Sequence, residues 1–402
     1  MAFCAIVLRM IDWYYDDLPG ARFAAELHRL RKRGEVVRVD ALGGAMPVYY
    51  ILSHRALTQA LRNAEDFPPG HAYQIISLPF IGETFMSMDE EQHRRWRPPM
   101  TTAFKRSAVD RMDQQRLAEI GHELLDELQA LLHGGARADL VPEFTRRYAF
   151  RVICDQLGLP TEREREYYQM SMDLMFGGRD PAASQAADRE LSRIVRPVID
   201  ARRSQPCDDQ ISRWIHDTTV DGAPVSEGSI LAHIRLFFTA GATTTSDAMA
   251  NLFHALLTHP DAWRRCVEEP DNQEGALQEL LRYNPPVAAQ PRFTNPGHSI
   301  EIAGVSIPPN SPVLFGIAAA NRDPDVFPNP DHFDITRDTK TLLTFGPGLR
   351  TCPGMHLAQK NLATALRLVT ERFPTLRLEA GVAQEPVGIL LRGTHSLPVT
   401  LQ

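Results

Sequence analysis

Cysteine is scarce in this chain, and no two cysteines form a CxxC pair. The five, Cys4, Cys154, Cys207, Cys266 and Cys352, lie far apart in 402 residues, which leaves neither a zinc site nor a disulfide framework. A reducing, cytoplasmic setting is expected. An excess of positive charge is also missing. Against 43 Lys and Arg stand 50 Asp and Glu, a formal net charge of −7, so the dense basic surface that nucleic-acid binding needs is not there. Long apolar runs are absent: the opening MAFCAIVLRMIDWYYDD is interrupted by Arg9 and ended by Asp12, short of the roughly 20 residues of a membrane span. It has no cationic lead and no clear cleavage site for a signal peptide, and an unanchored, monomeric protein is expected. Nucleotide-binding glycine fingerprints, iron–sulfur cysteine clusters, repeats and linkers are missing too. A single domain spanning residues 1–402 is the simplest organisation.

The residues that are present describe an ordinary core, with 43% hydrophobic and 23% charged side chains. A short helix is expected over 21–33. The segments 36–39 and 47–52 are β-rich and flank Gly43-Gly44 as in a hairpin, giving a β-rich part at about 34–53. A helical body is expected from about 107 to 280, on patterns such as Leu117, Ile120, Leu124, Leu125 and Leu128. A second β-rich part covers about 292–316, around Gly304 and Pro308-Pro309. The fold class is mainly α with small β-sheets (α+β). Residues 321–350 are crowded with Pro, Asp, Asn and Gly, a length of irregular chain that a compact domain keeps only for function.

That stretch runs into Phe345-Gly346-Pro347-Gly348-Leu349-Arg350-Thr351-Cys352-Pro353-Gly354, the cysteine loop at 345–354, followed by a helical pattern through Leu357, Ala358, Leu362, Ala365, Leu366 and Val369. A cysteine just before a helix N-terminus meets free N–H groups and the positive end of the helix dipole, which favour the metal-binding thiolate. The glycines let backbone approach a flat ligand, and Arg350 is placed to reach an acidic group on it.

The loop resembles the cysteine-ligand loop of the cytochrome P-450 superfamily at Phe345, Gly346, Gly348, Arg350, Cys352 and Gly354, with Arg350 where many members carry His. The resemblance implies haem b held through Cys352, with the haem lying between a long central helix and this loop. Three further motifs fit it. Glu279-Leu280-Leu281-Arg282 sets an acid and a base on one helix face and resembles the family's ExxR pair, with Tyr283-Asn284-Pro285-Pro286 as its exit and Arg292 as the next haem-facing arginine. His93 and Arg97, four apart on one face, resemble the propionate-binding helix. The run 236–245, Leu-Phe-Phe-Thr-Ala-Gly-Ala-Thr-Thr-Thr, lies in a helical stretch expected over 229–259. Its glycine and threonines weaken the helix, since threonine hydroxyls bond back to the preceding turn. Ala240, Gly241 and Thr244 resemble the family's oxygen-binding groove, in which Thr244 is implied to hydrogen-bond dioxygen and help deliver protons. One departure stands out: Thr243 occupies a position where the family usually has Asp or Glu.

The implied reaction is insertion of one oxygen atom into a hydrophobic organic substrate. By family position its pocket draws on Tyr73, Ile75, Ile76, Phe80, Phe237, Ala240, Val287, Ala288, Gln290 and Leu390, with Met170, Met172, Met175 and Phe176 suited to a lid. Electrons are implied to come from a ferredoxin or flavodoxin with its NAD(P)H reductase, steered by Arg94, Arg95, Lys105, Arg106 and Lys360. Thr243 keeps open peroxide-driven oxygenation, nitric oxide reduction or oxidative coupling, and a non-catalytic haem sensor is a third possibility.

Overall fold

The structure is a computed structural model that describes residues 19–41, 46–112, 114–133, 137–178, 180–381 and 384–401. The opening apolar run and the Gly43-Gly44 turn lie outside these residues.

The expected N-terminal helix is α1 (Gly20–Arg31), which buries Phe23, Leu27 and Leu30. Strands β1 (Val36–Ala41) and β2 (Met46–Ile51) pair antiparallel, Val39 opposite Val48, as the hairpin pattern implies. The second β-rich zone supplies β3 (Gln290–Phe293) and β4 (Pro312–Phe315). They complete one sheet in the order β1-β2-β4-β3. β4 runs parallel to β2 and antiparallel to β3, so a chain excursion of more than 200 residues returns to the N-terminal hairpin.

Helices α2 (His54–Arg62), α3 (Pro69–Ile76) and α4 (Glu90–Met100) follow the first hairpin. α4 starts where it does because Asp89 caps the amide of Gln92 at 2.8 Å and Glu90 and Glu91 meet the positive end of its dipole. The helical body holds α5 (Gln114–His133), α6 (Arg146–Leu157), α7 (Glu164–Met175) and α8 (Pro181–Ser204). The five apolar positions picked out on α5 are all buried in the main core, as a 3.6-residue period requires.

The central helix departs from the continuous rod expected over 229–259. It is α9 (Glu227–Leu236), a π-helical turn at Phe237–Ala242 and α10 (Thr243–Thr258). The cause is legible in the side chains. Thr239 donates to Arg235 O at 2.9 Å, Thr244 to Ala240 O at 2.7 Å and Thr245 to Gly241 O at 2.7 Å, and Thr243 bonds back to Thr239 O. Hydroxyls competing for the carbonyls widen the ladder into i→i+5 bonding. Helices α11 (Asn272–Tyr283) and α12 (Met355–Arg372) pack against α10. No helix among the described residues is long and apolar enough to cross a membrane.

Candidate active site

The cysteine loop is built by tight turns. Cys352 N donates to Phe345 O at 2.9 Å, Thr351 N to Gly348 O at 3.1 Å, and Gly348 N to Thr351 Oγ1 at 3.0 Å. Gly346 at φ +62° and Gly348 at φ +126° adopt left-handed backbone that side chains avoid. A Cβ on Gly348 would press to 3.1 Å from Leu61 O, whereas one on Gly346 would meet nothing within 4 Å.

Cys352 is enclosed by chain on all sides, yet its side chain keeps exposed surface. A group that is both enclosed and exposed faces an internal cavity. Burial raises the thiol above its ordinary pKa, opposed by the Gly354 amide, the charge on Arg97 and the Met355 amide. The amides at the helix start pull toward the thiolate, as its position implies, against the cost of burial. A cation at the sulfur completes the job.

Ala240 repeats the pattern. It is exposed although Phe237, Phe238, Thr239 and Ala242 around it are buried, and a Cβ on Gly241 would meet nothing within 4 Å. The π turn thus opens onto internal space, and the half-buried Thr244 follows it by one turn.

A cluster of cationic groups borders the loop. His93 is buried and its Nε2 has no hydrogen-bond partner. Its pKa is pushed down to about 3 by burial first and then by the charges of Arg350, Arg97 and Arg94. Arg97 donates to Leu349 O at 3.2 Å and to Thr351 O, so it grips the loop itself. Arg350 is held by Glu90 at 3.0 Å and by the carbonyls of Phe85 at 3.0 Å and Met88 at 2.8 Å. Its second terminal nitrogen also lies 2.8 Å from Glu90, so all three guanidinium nitrogens are engaged with chain, where a ligand partner was expected. Arg292 is buried between the rings of Tyr73 and Phe315, 5.4 and 5.5 Å from their centres. Arg62, Gln290, Arg292, Gly346 and Arg350 line one cavity.

These features fit a planar, dianionic group. An orphaned imidazole nitrogen and converging guanidiniums call for anions, and the open face beside Gly346 leaves room for a ring. Among the described residues no cluster of three or more His, Cys, Asp or Glu side chains forms a metal site, so a metal at Cys352 would take its remaining ligands from a cofactor.

The ExxR pair is no surface ion pair. Glu279 and Arg282 are fully buried and bidentate, both bonds at 2.7 Å. Arg282 also donates to Asn321 O at 3.2 Å, Pro330 O at 2.7 Å and His332 O at 3.2 Å. Arg337 joins Glu279 at 3.3 Å. Asn321 then ties Thr344 and Leu343 at 2.8 and 3.0 Å, at the mouth of the cysteine loop. The irregular stretch after 321 is a fixed meander, and Arg337 and Asn321 are functional members that the sequence reading missed.

The expectations for Phe237, Ala288, Thr243 and Lys360 are corrected, whereas Ile75, Ile76, Phe80, Val287 and Gln290 stay half-buried. Phe237 does not share the open face of Ala240: it packs on Phe104 and Trp214, ring centres 4.7 and 5.9 Å away. Within a π turn three residues cover less than the near-full turn of an α-helix, which swings it into the core. Ala288 is fully buried in a second core cluster with Ala318, Ile389 and Leu390. Phe80 packs on that cluster, Ile75 and Ile76 pack on Phe293, and Val287 packs on a third. Gln290 donates to Tyr73 Oη at 2.7 Å. Thr243 is fully buried, away from the open face. Lys360 is no steering charge, because its ammonium donates to Val109 O at 2.7 Å and Met112 O at 3.0 Å.

A mainly helical fold with a cysteine loop of this build defines the class of thiolate-dependent oxygenases. The cytochrome P450 family model matches residues 161–387. Cytochrome P450 107B1 of Saccharopolyspora erythraea is 30% identical over 94% of this chain and 95% of its own length. The 6-deoxyerythronolide B hydroxylase of the same organism is 33% identical over 78% of this chain and 76% of its own. The solved structure of the Bacillus subtilis bacillaene polyketide synthase cytochrome P450 PksS superposes with a TM-score of 0.84 at 26% identity, covering 95% of this chain and 97% of that one. The chain belongs to the cytochrome P450 family and is an oxidoreductase of the oxygenase type.

Proposed function

We propose that this chain is a haem-thiolate monooxygenase that inserts one atom of dioxygen into a bulky hydrophobic substrate of secondary metabolism. Haem b is held through Cys352, and electrons come from a separate ferredoxin or flavodoxin with its NAD(P)H reductase. The observation that carries the reading is Cys352, enclosed yet open to internal space, beside the guanidiniums of Arg97, Arg292 and Arg350 and the neutral, unpartnered imidazole of His93. Haem bound through a thiolate supplies dioxygen activation, the thiolate donating the electron density that favours O–O cleavage. The chain supplies the rest. Arg97 and the Gly354 and Met355 amides set positive potential at the sulfur; Arg97, Arg292 and Arg350, with the neutral His93 as a hydrogen-bond donor, would bind the propionates. Thr244 holds a hydroxyl at the open face of the π turn for proton delivery. Ile75, Ile76, Phe80 and Leu390 form apolar walls that exclude water. The relatives support the substrate class: one hydroxylates 6-deoxyerythronolide B and another is named for a polyketide synthase.

We assign the electron donor to the cysteine side, where Leu349 is 56% exposed and is held by Arg97, on the helix that also carries the exposed Arg94, with the exposed Lys105 following that helix. The absorption spectrum of the dithionite-reduced protein with carbon monoxide tests the ligand. A red-shifted thiolate band that Cys352→Ala abolishes is expected, and a protein that binds no haem would overturn the reading. The missing acid at Thr243 favours one second reading, peroxide-driven oxygenation; product formed with peroxide alone as fast as with redox partners would select it.

A further inference from the structure

We propose that Asp247 is the positioning acid of the oxygenase: a buried carboxyl, one helical turn beyond Thr243 and Thr244, that relays protons from the surface at His395 toward the open face of the π turn. Asp247 follows Thr244 by three residues and Thr243 by four, so on α10 it sits over both. It is 5% exposed, the one acid of α10, between a Thr-Thr-Thr-Ser run and the apolar Ala248, Met249 and Ala250. An isolated carboxyl is costly in such a place. Among the described residues Asp247 makes neither an ion pair nor a hydrogen bond, so structural pairing does not account for it.

Its surroundings lead outward. From the C-terminal segment, Gly393 comes so close that an added Cβ would lie 2.8 Å from the Asp247 carboxyl carbon and Oδ1. From α6 comes Arg146, whose guanidinium stacks 4.1 Å from the centre of the Tyr168 ring on α7 and donates to His395 O at 3.5 Å. Arg146, Tyr168 and His395 are the titratable and charged groups around it; His395 keeps exposed surface, while burial first and then Arg146 lower its pKa. Burial pushes the carboxyl up from 3.8 to about 7, against the pull of Arg146, so both protonation states are populated near neutrality.

The reaction gives this group work. Reducing dioxygen to a product hydroxyl and water takes up one proton for each electron, the electrons coming from the external donor and the protons from bulk water. Asp247 gives its proton toward the threonines, whose hydroxyl oxygens accept while their own hydrogens bond carbonyls. It takes one back from water on the His395 side, so it ends each turnover unchanged.

The inference rests on the oxygenase reading, and the test separates the two. In the holoenzyme, Asp247→Asn is expected to keep the thiolate spectrum but to lower product formed per oxygen consumed about tenfold or more, releasing peroxide instead, in line with general-acid effects. The neutral-pH limb of the rate profile is expected to disappear, and Asp247→Glu to restore it. Independently of turnover, the parent is expected to show a protonated-carboxyl infrared band that titrates near pH 7 and is missing in Asp247→Asn. The melting temperature of Asp247→Asn relative to the parent is expected to climb between pH 5 and 8, because the parent alone must ionise a buried acid there. Normal coupling with an unchanged pH profile in Asp247→Asn, or no titrating band in the parent, overturns the proposal whatever the spectrum at Cys352 shows. If Asp247→Asn does not fold, Asp247→Glu and the parent's band carry the decision.

Discussion

Thr243 and Thr244 are neighbours in sequence and strangers in environment. One is buried and back-bonded, the other stands at the open face, so a substitution at each asks a different question. Thr244→Ala is expected to retain haem and the thiolate spectrum but to release peroxide or water in place of product, read as product formed per oxygen consumed; normal coupling would remove its role. At Glu279 the arithmetic is electrostatic. Arg282→Leu leaves a fully buried carboxylate with only Arg337 and the Asp334 amide as partners, and losing one partner of a buried pair costs ~3–5 kcal/mol, read by chemical denaturation. The ExxR pair and Cys352 were legible because spacing and chain order carry them. Arg337 was not, since a lone arginine in an irregular stretch has no periodic signal. Asp247 did leave a trace, a single acid inside an apolar helix, but its meaning depends on Gly393, Arg146 and Tyr168, which lie far away in sequence.

At the scale of elements, the helices whose apolar residues repeat every three to four positions stand where periodicity put them, and the first hairpin was readable from its alternation. The π turn was legible as a weakness and not as a shape. Glycine and consecutive threonines announce poor helix, whereas which carbonyls the hydroxyls capture follows only from packing. Its open face sets a test. Ala240→Leu adds bulk where the side chain meets open space, so folding is expected to survive while the substrate-induced shift of the Soret band weakens; an unchanged shift would place the pocket elsewhere. α12 gives a second. Lys360 clasps the carbonyls of Val109 and Met112, just before α5, so Lys360→Ala is expected to lower the melting temperature and leave the salt dependence of electron transfer unaltered. Arg94→Glu and Lys105→Glu are expected to slow partner association at low salt and to leave stability intact, read by stopped-flow reduction.

For the whole molecule, pH acts through buried groups of opposite sign. Burial depresses His233 and His254 to about 4 each, below the ordinary 6.5. The unfolded chain then binds more protons than the native one between 6.5 and 4, so stability is full above that window and is lost as pH falls through it. Asp247 works the other way, its raised pKa costing stability as pH climbs from about 4 to about 7. Two histidines outweigh one carboxyl, and a melting temperature that falls on acidification from pH 7 to pH 5 is expected in a calorimetric series. One more consequence belongs to the meander after residue 321. Arg282 holds it through Asn321 O, Pro330 O and His332 O, Arg337 through the carbonyls of Pro328, Asn329 and His332, and Arg322 grips Tyr283 O. A clasp that reads only main-chain oxygens is blind to spelling. Exposed side chains such as Asp325 and His332 are then free to drift through generations while the cysteine stays aimed, whereas the buried Phe327 and Phe333 and the ion-paired Asp331 are held.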